Sequence, residues 1–274
     1  MIGLKKSKLK NTQIISVINQ KGGVGKTTTV INLATSLSLQ NKKILVIDLD
    51  PQGNATTGFG LSNTDNDKTI YDVLNGNSAF EDAIRDTKIN NLKLVSSNVD
   101  LSGLEVETAS ENRRAFLLKD KIENYINSPK NEFSYVFIDC PPSLSLLTVM
   151  SLVVAKSLIV PLQAEFFALE GLSQLVKTID RVKIKLNPEL VIRGVLLTMF
   201  DKRNKLSSQV DSEARKFFNE KVYQTQIPRN VRLSEAPSHG IPVVIYDKLC
   251  AGSKAYSSFA EEFLKQENIM ESAA

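Results

Sequence analysis

The segment NQKGGVGKTTT at residues 19–29 has the composition of a phosphate-binding loop. In the pattern G-x-x-x-x-G-K-[ST], counted back from Gly25-Lys26-Thr27, Gln20 stands at the first position, where glycine is usual, and a second lysine, Lys21, follows it. Glycines at 22, 23 and 25 let backbone N–H groups surround an anion. A helix that begins near Lys26 adds the positive end of its dipole. We therefore expect a bound nucleoside triphosphate here.

Several side chains have the types needed for phosphoryl chemistry. Lys26 would contact the β- and γ-phosphates, and the Thr27 hydroxyl would ligate Mg²⁺. Asp139 ends the apolar run YVFID and is placed like a Walker-B carboxylate, which holds Mg²⁺ through its water shell, although a strand-end aspartate can also simply cap the next turn. Asp50 is better placed than Asp48 to orient the attacking water. Asp48 either contacts the water shell of the metal or links to a switch segment.

The second lysine of the loop, Lys21, needs its own explanation. Lys26 already supplies an ammonium group, and a second cation in the same small loop is repelled unless it has its own anion. One solution is that Lys21 leaves its own loop and reaches the phosphates bound by another copy of the chain, as an arginine finger does. A solvated lysine on the shoulder of the loop is equally compatible with the spacing.

Strands and helices that alternate along the chain must position these residues. Short apolar runs predict strands at 13–20, 42–50, 91–97, 133–142, 156–163, 189–200 and 241–247. Helical spacing predicts helices at 27–40, 111–126, 145–154, 168–186, 207–219 and 252–267. The predicted fold class is α/β: a single-domain P-loop NTPase with a mostly parallel twisted sheet and helices on both faces. In such a sheet ligands lie at the carboxyl ends of the strands, where Asp50 and Asp139 are expected.

Length and composition predict one globular domain. The 274 residues are 42% hydrophobic and 23% charged. We expect a flexible basic arm at 1–11, the P-loop domain at 12–267 and a flexible tail at 268–274. No apolar run approaches the roughly 18–20 residues that span a bilayer, and no secretion signal is present, so the expected location is the cytoplasm. Two cysteines are too few for a disulfide framework or a cysteine-rich metal site.

The formal charge of +4 is unevenly distributed. The stretch from Arg181 to Arg232 contains twelve Lys or Arg and five Asp or Glu. If folding gathers the basic residues onto one face, that face would attract a polyanion. On charge alone, solvated helix surfaces are the more ordinary explanation.

Longer motifs carry a resemblance to a known family. KGGVGKTT, with a lysine at its head, resembles the deviant Walker A motif of the ParA/MinD group of ATPases. Further segments are similar to the ParA/Soj chromosome-partitioning branch of this group: DLDPQGNATTGFG (48–60), FIDCPPSLSLLTVMSL (137–152), PLQAEFFALEGL (161–172), LLTMFDKR (196–203) and IPRNVRLSEAPSHGIPVVIYD (227–247). The resemblance extends over nearly the whole chain.

This resemblance implies a function and its partners. It implies a homodimer that forms with ATP and Mg²⁺, binds double-stranded DNA without sequence preference and associates with the nucleoid. Hydrolysis, weak in the isolated protein, would be stimulated by a ParB/Spo0J-type partner protein and would release the DNA. The resulting activity is chromosome or plasmid segregation.

The resemblance also assigns residues. Lys21 looks like the signature lysine that acts across the dimer, Lys26 like the P-loop lysine and Asp50 like the hydrolytic aspartate. Gly22 is where two subunits would approach closely, so that a larger side chain should block dimerisation. The other implied ATP-binding residues are Gly23, Val24, Gly25, Thr27, Thr28, Pro228 and Arg229. The implied magnesium site consists of Thr27, Asp50 and Asp139.

DNA contacts are less localised, because the family presents basic residues from several elements. The candidates are Arg203, Arg229, Arg232, Lys248 and Lys254. Contacts of this kind go to phosphates and carry no sequence information.

Other functions use the same fold. A MinD-like membrane-cycling ATPase needs a C-terminal amphipathic helix, whereas the end AEEFLKQENIMESAA is acidic with little apolar face, so no membrane contact is expected. A nitrogenase-reductase-like protein would need cysteines at its dimer face, which Cys140 and Cys250 are poorly placed to supply. A metabolic ligase or kinase would show substrate-dependent turnover and indifference to DNA.

Overall fold

The computed structural model describes residues 12–64, 66–165 and 168–272. The basic arm expected at 1–11 and residues 273–274 of the expected tail lie outside this part of the chain. The last helix continues to Ser272, beyond the domain end that the sequence placed at 267.

One sheet organises the described residues. Its strands are β1 (Gln13–Val17), β2 (Ile44–Asp48), β3 (Ile84–Asp86), β4 (Leu92–Val95), β5 (Tyr135–Asp139), β6 (Ser157–Gln163) and β7 (Val191–Thr198). Their order is β3-β4-β2-β5-β1-β6-β7, and all neighbours are parallel except β3 with β4. The predicted mostly parallel sheet is confirmed. β1 is a central strand, between β5 and β6. The loop that follows β1 therefore lies near the middle of the carboxyl end of the sheet.

Helices cover both faces of this sheet. They are α1 (Lys26–Ser38), α2 (Asn54–Gly58), α3 (Ile70–Leu74), α4 (Leu104–Glu107), α5 (Leu117–Ile126), α6 (Leu146–Val154), α7 (Ala168–Lys185), α8 (Lys205–Phe218), α9 (Val231–Glu235), α10 (Val243–Tyr246) and α11 (Ala251–Ser272). A 3₁₀ turn, Ala236–His239, follows α9.

Alternate residues of each central strand enter different cores. In β2, Ile44 and Val46 pack with α1, α10 and α11, while Leu45 and Ile47 pack with α3, α5 and α6. A third core joins β6 and β7 to α7 and α8. Because both faces are covered, the strands are apolar at successive positions, as parallel strands usually are. Burial of each large aliphatic side chain contributes about 2 kcal/mol, which makes the sheet a rigid platform for the loops at its edge.

Two secondary-structure predictions require correction. The run IPVVIYD at 241–247 was predicted as a strand, but it contains the helical turn α10, which starts after Pro242. Val243 and Val244 are buried in the core beside α11. A short apolar run looks the same in a strand and in a buried helical turn, and this prediction was therefore wrong. The short edge strand β3 was missed because its sequence, IRD, is partly exposed and mostly polar.

No helix within the described ranges is both long enough and apolar enough to span a membrane.

Candidate nucleotide-binding site

Sheet register brings the candidate residues to one edge. In the parallel pairs, Val17 of β1 lies beside Asp139 of β5, and Asp48 of β2 lies on the other side of Asp139. The loop after β1 and the acidic residues at the ends of β2 and β5 therefore emerge together at the carboxyl edge. This is the position in which open α/β sheets bind ligands.

Backbone conformation makes the loop at 20–25 a curved anion nest. Gly23 and Gly25 have φ values of +74° and +89°, a region in which side chains are strained. Gln20 is not among the residues with positive φ, so its backbone does not require glycine. The loop can therefore have glutamine at the first position of the motif, where glycine is usual. Successive N–H groups in such a turn, followed by the N-terminus of α1, form a site for phosphate oxygens.

Two buried hydrogen bonds fix the nest to the sheet. Asn19 donates from Nδ2 to the Pro161 carbonyl at 2.7 Å, and its Oδ1 accepts from the Lys21 N–H at 3.1 Å. Thr198, at the end of β7, donates from Oγ1 to the Val24 carbonyl at 2.8 Å. Val24 itself is buried. The loop is therefore held before any ligand binds, which lowers the entropic cost of binding.

A cavity of about 480 Å³ opens over the nest. It is lined by most of the predicted ATP-binding and catalytic residues, namely Gly22, Gly23, Gly25, Lys26, Thr27, Thr28 and Asp50. Its wall also includes Ile31 of α1, Asn54 and Thr57 of α2, Pro142, Met199, and Pro237 and Ser238 of the turn after α9. These last residues lie in or beside motifs quoted above, but sequence reasoning gave them no individual role, because their side chains have no distinctive phosphate or metal chemistry.

Lys26 lies in the floor of this cavity. Its side chain is buried, and its Nζ donates to the carbonyl of Lys21 at 3.1 Å. Burial lowers the pKa of the Lys26 ammonium, while the nearby Asp139 carboxylate opposes the shift. A buried ammonium with a backbone carbonyl as its partner is well placed to exchange that weak contact for a phosphate.

Asp139 is a fully buried carboxyl at the end of β5. Both of its oxygens are inaccessible and none of the described residues forms a well-aligned hydrogen bond with them. Burial raises the pKa of Asp139 well above its usual range, and the neighbouring Asp48 raises it further, while the Thr27 hydroxyl acts in the opposite direction. Burial therefore favours the neutral carboxyl, and the ionised form requires a cation beside it. The two orphan oxygens, close to Thr27, therefore fit a hydrated Mg²⁺ ion.

Asp48 and Asp50 have different environments. Asp48 accepts hydrogen bonds at Oδ2 from the N–H and the hydroxyl of Thr56, at 2.8 and 2.7 Å. Burial raises the pKa of Asp48 to about 6, and the bonds from Thr56 oppose that increase. Asp50 accepts one bond at Oδ1, from the N–H of Gln52 at 3.0 Å, and lines the cavity. Two roles were left open for Asp48. Its hydrogen bonds to Thr56 of α2 support the link to a neighbouring segment.

A second cavity of about 290 Å³ adjoins the nest on the side of β7. Three of the implied ATP-binding residues, Thr28, Pro228 and Arg229, line it together with Tyr256 of α11. The Tyr256 hydroxyl is 3.1 Å from Oγ1 of Thr29, and both groups are buried. The last helix is therefore bonded directly to the helix that begins at the nest. Tyr256 was not predicted from the sequence, where it is one aromatic residue of an ordinary helical pattern.

Lys21 points away from the nest. It forms an ion pair with Glu165, which follows β6, and its side chain remains 49% exposed. Glu165 is thus the separate anion that a second lysine in this loop requires. Glu165 lies in the motif PLQAEFFALEGL, but no sequence pattern pairs it with Lys21, which is 144 positions away.

Two of the five DNA-contact candidates share a cavity with the start of α11, and two of the five are paired with acidic residues. Arg203 and Arg229 line a cavity of about 440 Å³ with Lys202, Ala251 and Ala255. Arg203 is 90% exposed and makes bonds of 3.1 and 2.9 Å to Asp201. Arg232 pairs with Glu235 at 2.7 Å and with Asp247 at 3.5 Å. Lys248 and Lys254 are exposed.

Not all of the basic excess between 181 and 232 is available to a ligand. Arg193 is buried, with its guanidinium 3.8 Å from the centre of the Phe263 ring. Arg215 binds Asp211 at 2.8 Å and donates to the carbonyls of Val222 and Tyr223. These arginines hold elements together, so the charge count overstates the basic surface.

The positive-φ glycines, the buried lysine and the strand-end carboxylates define a P-loop nucleotide-binding domain. Comparison with known proteins agrees, since residues 12–192 match the family model described as an AAA domain. The chain is 49% identical over 263 residues to the chromosome partitioning protein ParA of Caulobacter vibrioides, covering 96% of this chain and 97% of that protein. It is 44% identical over 250 residues to the chromosome-partitioning ATPase Soj of Treponema pallidum, covering 91% of this chain and 96% of that one. The chain belongs to the ParA/Soj family of chromosome-partitioning ATPases, which confirms the resemblance.

A solved structure extends the comparison to bound ligands. It is described as cobyrinic acid a,c-diamide synthase from Mycobacterium smegmatis with bound ATP analog and magnesium. The two chains superimpose with a TM-score of 0.81 at 33% identity, covering 93% of this chain and 94% of that one. A homologue of this fold is therefore known to hold both groups.

Proposed function

We propose that this protein is a Mg²⁺-dependent ATPase whose ATP-bound homodimer binds double-stranded DNA without sequence preference and releases it on hydrolysis. The observation that carries the proposal is the meeting of Lys26, Thr27, Asp50 and Asp139 beside a glycine nest at one sheet edge. Its family membership supports the same activity.

Nucleotide binding follows from the two adjoining cavities. The triphosphate occupies the cavity over the nest, where the N–H groups of 22–28 and the Lys26 ammonium contact its oxygens. The base occupies the cavity beside Pro228, Arg229 and Tyr256. Thr27 and Asp139 hold Mg²⁺, with Asp50 nearby. The metal neutralises charge on the β- and γ-phosphates.

Hydrolysis depends on Asp50. Its carboxylate faces the cavity and has one backbone partner, so it can accept a hydrogen bond from a water beside the γ-phosphate. The hydrogen bonds from Thr56 to Asp48 fix α2, which forms part of the same cavity wall. Attack of the oriented water on phosphorus breaks the bond to ADP and yields phosphate.

Dimerisation gives Lys21 its function. When two subunits face each other across their nests, Lys21 leaves Glu165 and contacts the phosphates bound by the other copy. Gly22 supports such an approach, because a Cβ added there would meet nothing closer than Cβ of Pro142, at 3.9 Å. The folded chain alone has no steric need for glycine at this position, so the requirement lies in what faces it.

DNA binding follows from duplication of a modest basic surface. Arg203, Arg229, Arg232, Lys248 and Lys254 of each subunit contact phosphates, and the dimer doubles the number of contacts per particle. A ParB/Spo0J-type partner stimulates the hydrolysis that separates the dimer. The protein thereby cycles on and off the nucleoid in the cytoplasm.

A direct test is to measure binding to a random-sequence duplex with ATP, with ADP and without nucleotide, over a salt series. Binding that needs ATP, falls steeply with salt and disappears in Lys21→Ala is the expected result. Lys43→Ala is a matched control, because Lys43 is 43% exposed and pairs with Glu132 far from the nest. Indifference to DNA in every nucleotide state would contradict the proposal.

A metabolic ligase of the same fold is the second candidate, favoured by the description of the Mycobacterium smegmatis structure. It predicts ATP turnover that requires a small carboxylate or amine substrate. Turnover that responds to DNA or a partner protein, and not to such substrates, separates the two functions.

A further inference from the structure

Gly60 and Gly240 form a direct backbone contact between two distant segments. Both lie in the left-handed region, with φ values of +72° and +62°. A Cβ added to Gly60 would lie 2.7 Å from the carbonyl oxygen of Gly240, and one added to Gly240 would lie 2.5 Å from Cα of Gly60. Any side chain at either position would force the segments apart.

The Gly60 segment belongs to the wall of the nucleotide cavity. Asn54 and Thr57 of α2 line that cavity together with Asp50. Thr56, between them, is bonded to Asp48, and its Oγ1 also accepts from the N–H of Ser97 at 3.2 Å. Segment 54–60 is thus tied to the strand ends that face the triphosphate.

The Gly240 segment reaches the cavity on one side and the basic surface on the other. Pro237 and Ser238 line the nucleotide cavity. The His239 ring stacks on Tyr246 of α10, with centroids 5.0 Å apart and planes at 18°. Arg232 is 3.5 Å from Asp247, directly before Lys248. These contacts join segment 231–248 into one unit that carries two exposed basic candidates.

We propose that the Gly60–Gly240 contact couples the nucleotide state to the presentation of Arg232 and Lys248, an inference that rests on the proposed function. A shift of α2 toward Gly240 on triphosphate binding would displace the Gly240 segment, since the two backbones leave no space between them. The 3₁₀ turn then moves α10 through the His239–Tyr246 stack. Allosteric coupling of this kind requires that segment 231–248 adopt two positions which the nucleotide and the DNA both bias.

The variants Gly60→Ala and Gly240→Ala test the coupling, with Gly76→Ala as the matched control. Gly76 also has a positive φ, +84°, but no atom lies within 4 Å of an added Cβ, so it reproduces the backbone strain without the contact. For each variant we would measure the affinity for a fluorescent ATP analogue and the Kd for duplex DNA with ATP and with ADP.

The ratio of the two DNA dissociation constants is the decisive quantity. We expect this ratio, measured at nucleotide concentrations that saturate each variant, to fall about tenfold or more in Gly60→Ala and Gly240→Ala and to stay at the wild-type value in Gly76→Ala. A folded Gly60→Ala protein that keeps the full wild-type ratio would overturn the coupling. If the wild-type protein ignores DNA, the proposed function fails instead.

Hydrogen–deuterium exchange on the wild-type protein gives a readout that needs neither variants nor DNA. A non-hydrolysable ATP analogue, compared with ADP, should change protection at 54–60 and also at 243–248, which do not line the nucleotide cavity. Changes that stop at the residues lining the cavity would overturn the coupling, even if the variants fail to fold.

Discussion

Lys21 and Glu165 form an ion pair across the loops that follow β1 and β6. Their side chains are 49% and 31% exposed, and an ion pair this accessible contributes only about 0–1 kcal/mol. Lys21 can therefore leave Glu165 at little cost when a more strongly charged triphosphate faces it. The pair keeps the second lysine of the loop away from Lys26 until then.

Substitution of either partner should affect dimerisation in opposite directions. Lys21→Ala removes the group that reaches across and should abolish the ATP-dependent dimer. Glu165→Gln frees Lys21 and should lower the protein concentration at which the dimer forms, by about two- to fivefold. Sedimentation velocity with ATP and magnesium measures both. Equal losses of dimer in the two variants would mean that the pair is part of the dimer itself.

Gly22→Val should separate folding from dimerisation. The backbone at Gly22 has no positive φ, and Pro142 is the nearest group to an added Cβ, at 3.9 Å. We expect an unchanged melting temperature and an affinity for ATP within about threefold of wild type, but no dimer, because a branched side chain would face the other subunit. A dimer of normal stability would show that Gly22 lies outside the contact.

Asp50→Asn should uncouple ATP binding from hydrolysis. The amide keeps an oxygen for the Gln52 N–H, now bonded at 3.0 Å, but it cannot accept a proton from water. Hydrolysis should fall about 100-fold or more, whereas ATP binding and the dimer persist and DNA is no longer released. Steady-state phosphate release and DNA dissociation after removal of ATP provide the two measurements. Retained hydrolysis would assign the water to another residue.

Asp201→Asn should strengthen DNA binding. Arg203 donates to Asp201 and lowers the pKa of that carboxyl to about 2, so both groups are charged at neutral pH. The substitution removes a negative charge beside the cavity that contains Arg203 and Arg229, and affinity should rise about two- to tenfold. Arg203→Ala should weaken binding and, in the double variant, cancel the gain. If the gain survives without Arg203, that arginine does not contact DNA.

Tyr256→Phe should destabilise the protein. The change leaves the buried Thr29 hydroxyl without its 3.1 Å partner, at a cost of about 1–2 kcal/mol in the free energy of unfolding. Urea denaturation measures this. Tyr71→Phe is the control, because the Tyr71 hydroxyl bonds to Glu107 at the surface and should contribute little. Similar losses in both variants would contradict a special role for the buried pair.

The sequence predicted the sheet and the nest because their signals are local. The glycines, Lys26 and Thr27 stand within six positions of one another, and apolar runs mark the strands that end at Asp48 and Asp139. The α10 turn was mistaken for a strand, since a run of a few apolar residues has no periodicity that distinguishes the two.

The remaining parts of the site depend on contacts between distant residues. Glu165, Thr56 and Tyr256 acquire their roles from the loops and helices that pack beside the nest. Glu165 and Thr56 lie in the motifs PLQAEFFALEGL and DLDPQGNATTGFG, but a motif does not say which residues pair, and one chain alone contains no signal for such pairings. The excess of basic residues between 181 and 232 was likewise only a count along the sequence. The packing shows that Arg193 is buried and that Arg215 bonds to backbone carbonyls, so neither adds to the basic surface.

Pro228 and Arg229 line both the cavity expected to hold the base and the basic cavity beside Arg203. One short piece of backbone is therefore a partition with a different ligand chemistry on each side. A substitution that improves the fit to a nucleotide also reshapes the basic cavity behind it. The affinity for nucleotide and the affinity for DNA therefore cannot be changed independently through this segment. A variant selected for a new nucleotide should be screened for altered DNA binding from the outset.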